Sequence, residues 1–130
     1  MSNSEDYFGA AHKFVDELTP NDFNSEVPWE LKDQKCGLVL FYAPWCGFCK
    51  AVKGNWESAA KKTGFCDYMA FNCEKNKAWC LKIKEENPDF IKSYPTIVVY
   101  KKGKPIKNYE GERDPPSLIS LCMKSCTTNP

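Results

Sequence analysis

One histidine, a net charge of +1 and no long apolar run are the sparse features of this 130-residue chain, and each closes off a class of function. A near-neutral balance gives no long-range field to gather nucleic acid or an anionic membrane. The Lys101-Lys102-Gly103-Lys104 cluster reads instead as the solvated turn of a hairpin. No stretch approaches the roughly 20 apolar residues that a spanning helix needs, so neither a membrane nor a nucleic acid is an expected partner. Met1 to Asp6 is polar and acidic, without the basic and apolar regions of a secretory leader, and Thr127 to Pro130 is no retention signal. A soluble, cytosolic product is the expectation from these ends. Eight cysteines pull the other way, toward an oxidising compartment. The lone histidine, His12, reads as a surface residue.

What is present suffices for one packed core. With 42% hydrophobic and 14% aromatic residues, a chain of this length builds a single domain, and a monomer is expected. Residues 1–13 read as a polar extension with helical tendency from Tyr7 to His12, and 14–130 as the domain. Phe14 to Leu18 offers a short strand, and Thr19 with Pro20 an N-cap and N1 pair for a short helix through Phe23. Gly37 to Tyr42 is an apolar run suited to a buried strand, followed by a helix over Lys50 to Lys62 with Val52, Trp56, Ala59 and Ala60 inward. A third strand spans Asp67 to Asn72, and a helix Lys75 to Glu86 turns Ala78, Trp79 and Leu81 to Ile83 inward. Thr96 to Tyr100 and Ile106 to Tyr109 make a hairpin. Asp114 and Pro115 then start a last helix with Leu118, Leu121 and Cys122 facing the core. The predicted class is α/β, in the order β-α-β-α-β-α-β-β-α.

Between the second strand and its helix lies Ala43-Pro44-Trp45-Cys46-Gly47-Phe48-Cys49-Lys50. Cys-x-x-Cys at a strand-to-helix junction is a redox device. The first N–H groups of a helix lack intrahelical partners and carry partial positive charge, so a sulfur seated there is stabilised as thiolate. Cys46 is thereby the candidate nucleophile. The two-residue spacer returns Cys49 to the same turn, within reach of a mixed disulfide at Cys46. Trp45 and Phe48 flank the sulfur as an apolar rim for peptide substrates, whereas Trp29, Trp56 and Trp79 read as packing residues.

From Phe14 to about Cys126 the chain resembles a thioredoxin-fold domain of the protein disulfide isomerase family. The carrying residues are FYAPWCGFCK (Phe41 to Lys50), SYPTIVVYKKGK (Ser93 to Lys104) and YEGER (Tyr109 to Arg113), in family order. The resemblance implies a central mixed sheet flanked by helices and a protein thiol-disulfide oxidoreductase. It implies Cys46 and Cys49 as the catalytic redox pair, with Trp45, Gly47, Phe48, Tyr94 and Pro95 binding substrate. The Tyr94-Pro95 bond is implied to be cis; from the residues alone it reads as an ordinary turn before a strand. Arg113 resembles a mobile arginine that assists the resolving thiol, against the plainer reading of a solvated loop charge. Cys73 and Cys80 resemble a structural disulfide of some isomerase domains, with two buried free thiols as the alternative. Expected partners are proteins with thiols or disulfides, plus a redox partner that is glutathione, a reductase or an oxidase. No cofactor and no metal are called for.

Three departures from the family pattern matter. Phe48 stands where isomerases usually have histidine, which removes a positive charge near Cys46. Leu40 and Ala70 stand where the family has a buried acid and its lysine partner. Joint loss is coherent, because one partner alone would be an uncompensated buried charge. It leaves Cys49 to lose its proton to water or another base. Gly54 replaces a helix-bending proline.

The remaining cysteines stay open in sequence. Cys122 and Cys126 share a helix face with Cβ atoms about 6 Å apart, too far for a disulfide between them, and read as thiols. Cys36 and Cys66 precede two strands and are inert, paired together or intermolecular. Two other functions compete with the oxidoreductase: a low-turnover binding protein that keeps the fold, and a zinc module built on Cys46, Cys49 and further thiols.

Overall fold

The computed structural model describes Phe8 and residues 13–126. The predicted Tyr7 to His12 helix, apart from Phe8, and His12 itself lie outside the described residues. The strands are β1 (Val15–Leu18), β2 (Gly37–Tyr42), β3 (Asp67–Asn72), β4 (Thr96–Lys101) and β5 (Lys104–Tyr109). The helices are α1 (Gly47–Lys62), α2 (Lys77–Glu86) and α3 (Pro115–Cys126). Five strands form one sheet in the order β1-β3-β2-β4-β5. β1, β3 and β2 run parallel, while β4 is antiparallel to β2 and β5 to β4.

β2 holds the centre because it is apolar on both sides: Leu38 through Tyr42 are all 0% exposed. Alternation sorts its side chains into two cores. Leu38, Leu40 and Tyr42 meet α1 and α3 through Val52, Trp56, Leu118 and Cys122. Val39 and Phe41 meet the α2 side through Cys80, Ile83, Phe71 and Phe90. Phe8, from the segment expected to be a polar arm, is buried at 2% and packs edge-on against Tyr42 at 6.0 Å. No helix among the described residues is long and apolar enough to cross a membrane.

Local chemistry accounts for most boundaries. Thr19 and Asp22 form a reciprocal capping box, but the helix it starts is a single 3-10 turn, Pro20–Asp22. Between β4 and β5, Lys102 and Gly103 both take positive φ, 55° and 80°, as a two-residue hairpin turn requires. α3 begins as predicted, with Ser117 Oγ donating to Asp114 Oδ1 at 2.7 Å. α1 begins three residues earlier than predicted, because the Cys46 sulfur caps it. α2 corrects a prediction: it buries Cys80 and Ile83, half-buries Trp79, and leaves Ala78 and Leu81 exposed. The bond from Cys80 to Cys73, at the end of β3, sets that rotation.

The larger correction concerns the four outlying cysteines. Cys36 is bonded to Cys126 and Cys66 to Cys122, so none is a free thiol and Cys36 does not pair with Cys66. The reason is tertiary. Cys36 and Cys66 immediately precede Gly37 and Asp67, which are register partners on adjacent parallel strands. Cys122 and Cys126 lie one turn apart on the helix that crosses those strand starts. Strand spacing near 4.8 Å and helix-turn spacing near 6 Å match closely enough for two side-by-side cross-links. Gly37 is required there, since a Cβ would collide with the Asp67 carbonyl.

One polar pair interrupts the α1-side core. Tyr42 OH donates to Glu17, 2.8 Å from Oε2 and 3.2 Å from Oε1. Burial pushes the Glu17 carboxyl from 4.5 up to about 7, against the pull of the Tyr42 hydrogen bond and the Lys75 charge. In the unfolded chain this group ionises near 4.5, so stability is greatest below that pH and is lost as pH rises toward 7. Glu17→Gln is expected to abolish this loss, on the order of 2 kcal/mol, and so to raise the melting temperature at pH 8 but not at pH 4. Parallel pH profiles for the two proteins would show that Glu17 titrates as an exposed carboxylate.

Candidate active site

β2 leaves the sheet at Tyr42, and the chain turns at once into α1. Cys46 N–H donates to the Ala43 carbonyl at 3.0 Å, closing the turn, and Lys50 N–H donates to Cys46 O at 3.0 Å, opening the helix. Cys46 is therefore the N-cap, with extended backbone at φ −77° and ψ 125°. Its sulfur takes the place a serine or aspartate oxygen usually fills, accepting from Cys49 N–H at 3.3 Å. From the other side, the Cys46 thiol lies 3.5 Å from the Tyr94 carbonyl, and the Tyr94-Pro95 bond is cis. Phe41 and Thr96 are register partners, which brings the residues after β2 beside those before β4.

Cys46 and Cys49 are the two of the eight cysteines that lie outside the three disulfides. They are unequal. Cys46 is 8% exposed and Cys49 fully buried. Burial drives the Cys49 thiol up to about 12, aided by its hydrogen bond to Cys46, while the Ala43 backbone and the Arg113 charge pull it down. Arg113 lines a groove of about 270 Å³ with Ser93, Pro95 and Thr96, on the side of the cis bond. Leu40 and Ala70 are register partners and both 0% exposed, so the place where the family keeps an acid and a lysine is filled by two apolar side chains that face each other across β2 and β3.

Trp45 and Phe48 are exposed at 61% and 71%, the most open large apolar side chains beside the thiol. The indole is nonetheless held. Trp45 Nε1 donates to Glu74 Oε1 at 2.8 Å, and its ring meets Tyr94 edge-on at 6.2 Å. That hydrogen bond keeps the Glu74 carboxyl below its usual range. Glu74 is in turn fixed by its loop, where Asn72 Oδ1 accepts from the N–H groups of Glu74 and Lys75, both at 2.9 Å, and Cys73 is bonded to Cys80. Sequence reasoning missed Glu74. It stands 29 positions from Trp45, and its only signal is its place just after the strand that ends beside β2. Gly47 is the first residue of α1 and a Cβ there would meet nothing within 4 Å. Among the described residues no group of three or more histidine, cysteine, aspartate or glutamate side chains could hold a metal ion.

With Cys46 and Cys49 at the first turn of α1 beside a cis-proline, the chain matches the family model Thioredoxin over residues 14–124. The chain belongs to the thioredoxin family. Its curated relatives are protein disulfide isomerases. It is 33% identical over 110 residues to Protein disulfide-isomerase like 2-2 of Arabidopsis thaliana, covering 83% of this chain and 22% of the relative. To Protein disulfide-isomerase MPD1 of Saccharomyces cerevisiae it is 35% identical over 102 residues, covering 72% of this chain and 29% of the relative. The chain thus spans less than a third of the length of these relatives. Among solved structures, ERdj5 form II superposes with a TM-score of 0.69 at 27% identity, covering 94% of this chain and 16% of that one. The Trx4 domain of ERdj5 gives 0.62 at 27% identity, over 83% of this chain and 91% of that domain. This is a thioredoxin-fold domain of the protein disulfide isomerase family, of the size of one such unit.

The burial difference sets an expected labelling pattern. At pH 8 iodoacetamide should modify Cys46 alone in the reduced native protein, with Cys49 reacting only after unfolding. Arg113→Ala removes a charge that favours the Cys49 thiolate, and should slow attack by Cys49 on a disulfide at Cys46 about fivefold, an effect near 1 kcal/mol. Arg113→Lys should recover most of the rate in stopped-flow measurements. An unchanged rate in Arg113→Ala would make Arg113 a solvated loop charge.

Proposed function

We propose that this domain is a protein thiol-disulfide oxidoreductase with Cys46 as nucleophile and Cys49 as resolving thiol. The observation that carries the reading is the seat of Cys46 Sγ, between the Cys49 N–H and the Tyr94 carbonyl. In the reductive direction the Cys46 thiolate attacks one sulfur of a substrate disulfide, and the other sulfur leaves as thiolate and takes a proton from solvent. Cys49 then gives up its proton, attacks Cys46 Sγ and releases the substrate's first sulfur. The products are a substrate dithiol and a Cys46–Cys49 disulfide. Run backward, the same steps oxidise; taken halfway and reversed at another sulfur, they isomerise.

The substrate is an extended or unfolded protein segment. The open rings of Trp45 and Phe48 offer apolar contact on both sides of the sulfur, and the Tyr94 carbonyl at the cis bond offers backbone pairing. The domain acts as a monomer in this reading and exchanges electrons with glutathione, a reductase or an oxidase. Deprotonation of Cys49 is its slow step, because Leu40 and Ala70 supply no base and the thiol is held near 12. Three static disulfides favour an oxidising compartment over the cytosolic setting expected from the chain ends.

Cys49→Ala should accumulate mixed disulfides with proteins through Cys46, visible on non-reducing gels and absent from the Cys46→Ala/Cys49→Ala double variant. Insulin disulfide reduction by the wild-type domain should fall at least about a hundredfold in Cys46→Ala. A low-turnover binding protein would retain its partners without regard to either thiol, and that outcome would replace the enzymatic reading.

A further inference from the structure

An open tryptophan ordinarily exchanges among rotamers, yet the Trp45 indole, 61% exposed beside the Cys46 sulfur, is anchored on two sides. Its Nε1 donates to Glu74 Oε1 at 2.8 Å, and its ring meets the Tyr94 ring edge-on at 6.2 Å. We propose that Glu74 is a positioning residue for substrate: its carboxylate holds the indole as a preformed wall of the cleft, so that an extended segment docks on Trp45 without first having to order it. This role rests on the reading of Cys46 as nucleophile toward protein disulfides, and it concerns binding rather than sulfur chemistry.

Glu74 has the build of a fixed post. Its backbone N–H donates to Asn72 Oδ1 at 2.9 Å, and Asn72 is itself 2% exposed. The N–H of Lys75 donates to the same oxygen at 2.9 Å. Cys73, one residue before Glu74, is bonded to Cys80, which ties the loop to α2 as well as to the end of β3. At the tip the two carboxylate oxygens face different partners, Oε1 the indole and Oε2 the Lys77 ammonium at 3.6 Å. A charged acceptor makes the indole contact stronger than a neutral one, and the Glu74 carboxyl is correspondingly held below its usual range, foremost by Trp45 and then by Lys77. Tyr94, the second anchor, carries the Lys84 ammonium 5.3 Å from its ring centroid, while its carbonyl lies 3.5 Å from the Cys46 sulfur. One residue therefore abuts both the wall and the thiol.

Immobilising a rotamer-rich side chain on binding costs affinity, and a ring already held avoids that cost. The gain is common to every state in which substrate lies on the wall, so it belongs in KM and not in kcat. The indole hydrogen bond is itself exposed, and removing it leaves no buried group unsatisfied, so folding does not depend on it.

Insulin disulfide reduction by the full chain, with a dithiol as electron source, tests the role. Glu74→Ala should raise KM for insulin about fivefold, with kcat and melting temperature unchanged. Glu74→Gln keeps an acceptor oxygen for the indole while removing the charge, and should recover most of the wild-type KM. In a Trp45→Phe background Glu74→Ala should have no further effect, as two groups acting through one contact require. A readout free of turnover comes from NMR. The Trp45 indole N–H peak, assigned by its loss in Trp45→Phe, should move as Glu74 titrates below 4.5 in the wild type and should lose that movement in Glu74→Gln. An unchanged KM in Glu74→Ala, with the wild type reducing insulin, overturns the positioning role and leaves the oxidoreductase reading standing. A KM as high in Glu74→Gln as in Glu74→Ala also overturns it, since the carboxylate would then act on substrate by its charge. So does an indole peak indifferent to Glu74. A wild-type chain that reduces no insulin overturns the oxidoreductase reading and this role together.

Discussion

Burial of β2 on both faces is the constraint from which the site follows. Leu38 to Tyr42 are wholly enclosed, and their backbone is paired to β3 on one side and β4 on the other. Such a strand tolerates no slip, because a one-residue shift would exchange the α1-side set for the α2-side set. The point at which the chain leaves the sheet is therefore fixed. Four residues later the sulfur of Cys46 must cap α1. The antiparallel register of β4 fixes the other half of the site, since Thr96 opposite Phe41 delivers the Tyr94 carbonyl to the same sulfur. A sulfur positioned in this way owes its place to long-range sheet order, and the exposed rims at Trp45 and Phe48 can vary without moving it.

Elements that announce themselves locally were readable in the sequence. β2 and β4 are apolar or β-branched runs, the Thr19-Pro20 and Asp114-Pro115 starts carry their own caps, and the Lys102-Gly103 turn needs its glycine. Features set by contact between distant segments were not readable. Cys122 and Cys126 cannot bond to each other along one helix, a local inference that holds. Their true partners depend on where α3 lands, which no spacing within the helix encodes. The exposed face of α2 is a similar case, since periodicity alone favours Leu81 inward and the tie to Cys73 turns it out. Glu74 reaches Trp45 only because β3 and β2 end side by side.

The acid missing from Leu40 is not missing from the sheet altogether. Glu17 of β1 pairs with Ala70 of β3, which pairs with Leu40 of β2, so the three stand in one row across parallel strands. Glu17 shares the face of Val15, and its carboxyl is bound by Tyr42 OH. Glu17, two strands from β2, is engaged with a phenol and is not among the groups that shift the Cys49 thiol. Of the groups that lower the Cys49 pKa, Arg113 is the charged one, acting behind the Ala43 backbone and against burial. The influence of a long exposed cation is weaker and more salt-sensitive than that of a buried carboxylate, so the Cys49 thiol should respond to ionic strength.

Eight cysteines in so small a domain raise the question of why the reactive pair does not scramble the others, since exchange needs direct contact between an attacking and a bonded sulfur. The sheet supplies two separations. Cys36 and Cys66 stand at the starts of β2 and β3, while Cys46 follows the end of β2, and six residues of strand place about 20 Å between them. Cys73 and Cys80 lie at the same end as Cys46, where length gives no protection. There alternation takes over, because Cys73 and Cys80 point into the α2-side core and Cys46 and Cys49 into the α1-side core, with the sheet between. Strand length isolates one set of sulfurs and strand pleat the other, so only a disulfide brought in from outside can reach the Cys46 thiol.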